Sequence, residues 1–190
     1  KRKLETRKLL RSLRSEQLIA KRQLIDKFKQ SNRALYRAWS DLEYRFVIDM
    51  LEVPLVVQGK RAQELVNTQQ NKVLESSEIL ADIEIKLAEN GNNTLYLITA
   101  SSKDPYESAD FYQGLFSAYD IDAKWLPLTP ALAKAMAVQD CQGLDKYRQQ
   151  INGIFKREQV YPDLIKQEQA LCAKGAEYLK SMISSVGAVM

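Results

Sequence analysis

The sequence predicts an α+β protein: a long N-terminal helical arm, then a small α/β module interrupted by a helical insertion. Three observations predict it. Residues 1 to about 50 contain no Gly or Pro and are rich in Leu, Arg, Lys, Gln and Glu, all strong helix formers. Residues 94–128 then read strand, loop, helix, strand within about 35 residues, the size of a βαβ unit. Charge is also divided: the first 33 residues hold twelve Lys and Arg against Glu5, Glu16 and Asp26, a net +9, while the rest of the chain totals −5. The overall +4 is therefore a property of the arm. We place the arm at 1–90 and the module at 91–190.

Within the arm, Leu18, Lys21, Ile25, Phe28, Asn32, Leu35, Trp39, Leu42 and Phe46 recur at the 3-4 spacing of a coiled-coil seam over 18–46, interrupted at Lys21 and Asn32. This face either packs on the rest of the chain or pairs with a partner helix, a second copy included. Earlier seam positions are Arg7, Arg11 and Arg14, so basic residues 1–16 stay out of a core. They form a solvated face, or meet a membrane surface or an acidic partner. Nucleic acid is disfavoured, because the arm lacks interleaved aromatics to stack on bases. Pro54 ends the helix, since it lacks an amide hydrogen and restrains its predecessor. Pro54–Gly59 reads as a short edge strand or a linker. A second helical segment is expected from Lys60 to Glu89, closed by Asn90-Gly91-Asn92-Asn93.

In the module, Leu95–Ala100 is an apolar run suited to a strand buried on both faces. A polar corner at 101–105 leads to a helix marked by Phe111, Leu115 and Phe116, and Ile121–Leu128 reads as a parallel second strand. The stretch from about 130 to 157 is expected to be helical. After it, Val160–Lys166 reads as a strand containing Pro162, Gln167–Gln169 as a turn, Ala170–Gly175 as a return strand, and Ala176–Ser184 as a final helix.

The chain has no His and only two Cys. That excludes the usual zinc ligand sets and both Ser-His-Asp and Cys-His nucleophiles. We assign no catalytic residue, no metal and no cofactor. Cys141 and Cys172 lie outside any Cys-x-x-Cys. They form either a structural disulfide, in an oxidising compartment, or two buried thiols. No apolar run approaches the roughly 18 residues of a membrane span. The chain begins on Lys-Arg-Lys without Met, so a leader or anchor could precede it.

The order β, α, β, helical insertion, Pro-led hairpin, α resembles the thioredoxin fold, most closely the catalytic domain of the periplasmic disulfide isomerases. Their Cys-Pro-Tyr-Cys motif is matched by Asp104-Pro105-Tyr106-Glu107, and their cis-proline by Pro162, preceded by Tyr161. Ile121–Leu128 and the Ala-rich Ala131–Ala137 are similar to the elements that follow that motif in the family. The resemblance implies a thioredoxin-like α/β domain that is redox-inactive, because Asp104 and Glu107 cannot attack a disulfide. Asp104 then serves as an N-cap. It also implies a groove formed by Asp104, Pro105, Tyr106, Glu107, Tyr161 and Pro162, in which an extended peptide docks. The function implied is a non-catalytic binding or assembly protein with protein partners, an accessory of a bacterial envelope complex such as a conjugation or secretion machine. Its compartment would be the periplasm or cell envelope, with the cytoplasm as the alternative. The rival readings are a helical coiled-coil adaptor and an active disulfide isomerase using Cys141 or Cys172.

Overall fold

The computed structural model describes residues 2–14, 21–63, 74–91, 93–184 and 188–189 of the 190-residue chain. It is about 69% helical. The arm is not one continuous helix. It comprises α1 (Arg2–Arg14), α2 (Lys21–Ser31), α3 (Arg33–Ala38) and α4 (Asp41–Leu51). Two side-chain caps divide it. Asn32 accepts the Leu35 amide at 2.9 Å to start α3, and Ser40 with Glu43 forms a capping box at α4. Short polar side chains that bond nearby amides compete in this way with helix continuation.

The broken helices then pack on each other. Leu13, Leu24, Phe28, Val47, Ile48 and Leu51 form a buried cluster, with the Phe28 and Trp39 rings edge to face at 5.2 Å. Most of the seam is thus consumed inside its own chain. Phe28 and Leu35 are buried, Ile25 and Trp39 half-buried, and Asn32 is a cap. Leu42 and Phe46 remain exposed. Leu18 and the Lys21 side chain lie outside the described residues.

Beyond α4, β1 (Val56–Val57) and β2 (Lys60–Arg61) pair antiparallel. Gln58 (φ 51°) and Gly59 (φ 78°) make the turn, and two left-handed residues are what a tight hairpin with right-twisted strands needs. The helix expected from Lys60 appears, among the described residues, as α5 (Leu74–Glu89).

The βαβ unit forms as the spacing predicts. β3 (Thr94–Leu97) and β4 (Asp122–Trp125) pair parallel, Thr94 opposite Asp122 and Leu97 opposite Trp125, with α6 (Pro105–Ser117) between them. Leu95 and Leu97 pack with Tyr106, Ala109, Phe116 and Trp125 on one face. Tyr96 and Ile98 lie on the other, against a cluster that includes Leu126, Leu132, Leu144 and Leu171. The central strand β3 is covered on both sides, as a parallel strand requires, while Asp122 and Lys124 of the edge strand β4 stay exposed. The expected helical insertion is α7 (Pro130–Ala137), a 3-10 turn (Cys141–Gly143), α8 (Leu144–Tyr147) and a π turn (Arg148–Asn152). After α9 (Arg157–Val160) comes α10 (Pro162–Ser184), and β5 (Ala188–Val189) then joins β3 in parallel. Among the described residues no helix is long and apolar enough to cross a membrane.

These elements overturn the thioredoxin resemblance and the fold class built on it. A thioredoxin sheet needs an antiparallel hairpin after the proline; here 162–184 is helix, and the described strands of the main sheet, ordered β4-β3-β5, are all parallel. No described peptide bond is cis. The physical reason is plain in α10. Leu164, Ile165, Glu168, Leu171 and Cys172 are its buried residues, a 3-4 spacing that only a helix puts on one face. Pro162 sits at its first position, where a missing amide hydrogen costs nothing.

Candidate functional site

The residues expected to line a docking groove are mostly interior. Asp104 caps α6, its Oδ1 accepting the amides of Tyr106 at 3.1 Å and Glu107 at 3.2 Å. Its Oδ2 lies 3.1 Å from Nε of Arg157. Arg157, only 2% exposed, also meets Asp49 at 2.6 Å and Glu52 at 2.9 Å. One buried guanidinium therefore joins α4 to α6. Burial raises the carboxyl pKa values of Asp49 and Asp104 above the usual range, with the Arg157 charge opposing it. For Arg157, burial disfavours the charge, but the three carboxylates prevail and raise its pKa.

Tyr106 is fully buried. Its hydroxyl donates to Glu168 at 2.6 Å, and Thr129 donates to the other oxygen of the same carboxylate at 2.6 Å. Arg148 lies 3.6 Å from Glu168. Burial pushes the Glu168 carboxyl up, against the pull of these hydrogen bonds and of Arg148. The Tyr161 ring is buried between the guanidiniums of Arg61 at 4.3 Å and Arg157 at 5.7 Å. Arg61 in turn makes a two-pronged contact with Asp110, at 2.6 and 2.8 Å. Pro105 is buried, Glu107 exposed, and Pro162 half-buried at the start of α10. The structure brings Asp104 and Tyr161 together around Arg157, but neither tyrosine offers a ring to a partner.

A surface with the expected chemistry lies elsewhere, between β4 and the second half of α10. The cavity there is about 350 Å³. Tyr96 and Trp125 line it from the sheet, and Leu171, Tyr178 and Met182 from the helix. Lys124, paired with Asp122 at 2.9 Å, and Lys174 also line it, and among the described residues no carboxylate does. Register explains one side: Tyr96 and Lys124 are paired neighbours on adjacent strands, so they share a face. The Trp125 indole is held by a 2.9 Å bond from Nε1 to Thr99. The other side depends on Gly175, whose φ of 79° and ψ of −178° interrupt α10. That conformation is essentially open to Gly alone. It redirects the segment carrying Tyr178 and Met182, and Lys174 stands 4.0 Å over the Tyr178 ring.

Sequence reasoning gave Ala170–Gly175 to a strand and put Tyr178 and Met182 on the inward face of the final helix, so Lys174 was not set beside them. Flat aromatic walls with two ammonium groups suit an extended segment with apolar side chains and a carboxylate. Among the described residues, no group of three His, Cys, Asp or Glu is placed to hold a metal ion.

Cys141 and Cys172 form a disulfide, with Cα atoms 5.8 Å apart. It ties the turn after α7 to α10 near the groove, and no described cysteine is free. Compared with known proteins, the chain matches no family model, no curated protein and no solved structure.

Proposed function

We propose that the chain is a non-catalytic binding and assembly protein that holds an extended acidic and apolar segment of a protein partner in the groove between β4 and α10. One observation carries the reading: Tyr96 and Tyr178 face a cavity that includes two lysines and, among the described residues, no carboxylate. Tyr gives large, rigid contact area, and Lys174, beside a Lys124 already paired with Asp122 at 2.9 Å, favours acidic partners. The non-catalytic part is supported by the use of the buried ionisable groups. Asp49, Glu52 and Asp104 face Arg157, and Glu168 accepts from Tyr106 and Thr129. The disulfide supports an oxidising compartment such as the periplasm.

The test is selection of peptides from a random library on the full chain. Selected peptides should combine carboxylates with apolar residues. Lys174→Glu or Tyr178→Ala should weaken them by about tenfold or more, the effect of losing one interface anchor. Tyr178 is 39% exposed, so its truncation leaves folding intact. Peptides indifferent to both substitutions would contradict the proposal.

A further inference from the structure

The β1–β2 hairpin carries a run of exposed aliphatic side chains: Val53, Leu55, Val56 and Val57 are 59, 56, 55 and 54% exposed. Scattered apolar residues on a surface are ordinary, but four within five positions are not. The hairpin is also firmly rooted. Arg61 grips Asp110 with two hydrogen bonds and lies over the buried Tyr161 ring. Glu52 receives Arg157, and its carbonyl accepts from Lys156 at 2.9 Å. The exposure therefore belongs to a fixed element.

Cations accompany it. Lys60 is exposed at the turn. Helix α1 runs alongside α4: the Trp39 indole donates to Thr6 at 3.3 Å near one end, and Leu13 shares a cluster with Val47 and Leu51 near the other. The last turns of α1 and the end of α4, from which the chain runs on into the hairpin, thus lie at the same end of the helical cluster. Arg7, Lys8 and Arg11 are exposed on α1, spaced to share one helix face. The tip has none of the Trp, Tyr or Arg that dominate protein–protein anchors. Aliphatic groups gain from entering hydrocarbon whatever the shape of the partner, and neighbouring cations gain from anionic headgroups.

We propose that the hairpin docks the chain on an anionic membrane surface, with Val53, Leu55, Val56 and Val57 entering the acyl boundary and Lys60 and the α1 cations at headgroup level. This goes beyond the peptide-binding reading and uses a different surface, so either can fail alone.

Co-sedimentation of the full chain with phosphatidylcholine vesicles, with and without phosphatidylglycerol, tests it. Binding should be about tenfold or more tighter with phosphatidylglycerol, and weaker at high salt. Val56→Asp with Val57→Asp should reduce binding by about tenfold or more, with an unchanged thermal melt as the check on folding. Lys8→Glu with Arg11→Glu should also reduce it. Absence of vesicle binding by the native chain would overturn the proposal. So would vesicle binding indifferent to the hairpin pair of substitutions. Loss of self-association in that variant, with vesicle binding retained, would also overturn it by assigning the hairpin to a second copy.

Discussion

Replacing Arg157 with Met would leave Asp49, Glu52 and Asp104 around an apolar side chain. Removing one partner of a buried ion pair costs about 3–5 kcal/mol, because the remaining charges are desolvated and uncompensated. We expect Arg157→Met to lower stability by about that amount at neutral pH, read by urea denaturation. The pH dependence gives a sharper test. Asp49 and Asp104 already have carboxyl pKa values raised by burial. A raised carboxyl contributes stability that is fully present below its unfolded value and lost as pH rises through its folded value. Without Arg157 those folded values rise further. The variant's deficit should therefore shrink as pH is lowered through the mildly acidic range and grow towards alkaline pH. A deficit that does not change with pH would contradict the pairing. At this scale the sequence was only partly legible. Asp104 before Pro105 announces an N-cap, and Asp104 is one. Nothing local announces Arg157, whose partner Glu52 is 105 residues away.

Among the elements, α10 depends most on a single backbone conformation. A Cβ at Gly175 would touch nothing within 4 Å, yet the residue holds φ 79° and ψ −178°. The cost of Gly175→Ala is therefore dihedral strain of about 1–3 kcal/mol and not a clash. We expect that loss in thermal melts, together with weaker peptide binding as the segment carrying Tyr178 is redirected. Full stability and full binding in the variant would show that the break does not shape the groove. The βαβ unit was readable because its apolar runs and turn signals agree with one another. The stretch from Val160 was misread because Val160, Tyr161 and Pro162 suggest an edge strand, while Leu164, Ile165, Leu171 and Cys172 carry the helical period. The arm was misread for the opposite reason. Its seam is regular, but Asn32 and Ser40 cap new helices across it, and the seam folds back on Val47, Ile48 and Leu51.

For the molecule as a whole, the Cys141–Cys172 link closes a loop across α8, α9 and the first half of α10, with a sequence separation of 31. Chain-entropy arguments give such a loop about 3–4 kcal/mol. Cys141→Ser with Cys172→Ser, or reduction of the native chain, should lower stability by that amount, and equal stability before and after reduction would contradict a structural bond. The likeness to thioredoxins failed at this scale because β-α-β order followed by a proline fits several topologies. What separates them is whether 162–175 is hairpin or helix. The division of charge survives as a division of surfaces, a basic helical cluster beside an aliphatic hairpin and an aromatic groove in the body.

The chain has two tryptophans, so Trp39→Phe leaves Trp125, which lines the groove, as sole reporter. Titrating that variant with an acidic, apolar peptide selected on the native chain should shift Trp125 emission with the affinity the peptide shows for the native chain. The shift should vanish with Lys174→Glu. Saturable peptide binding that leaves Trp125 emission unchanged would place the partner elsewhere and contradict the assignment of the groove.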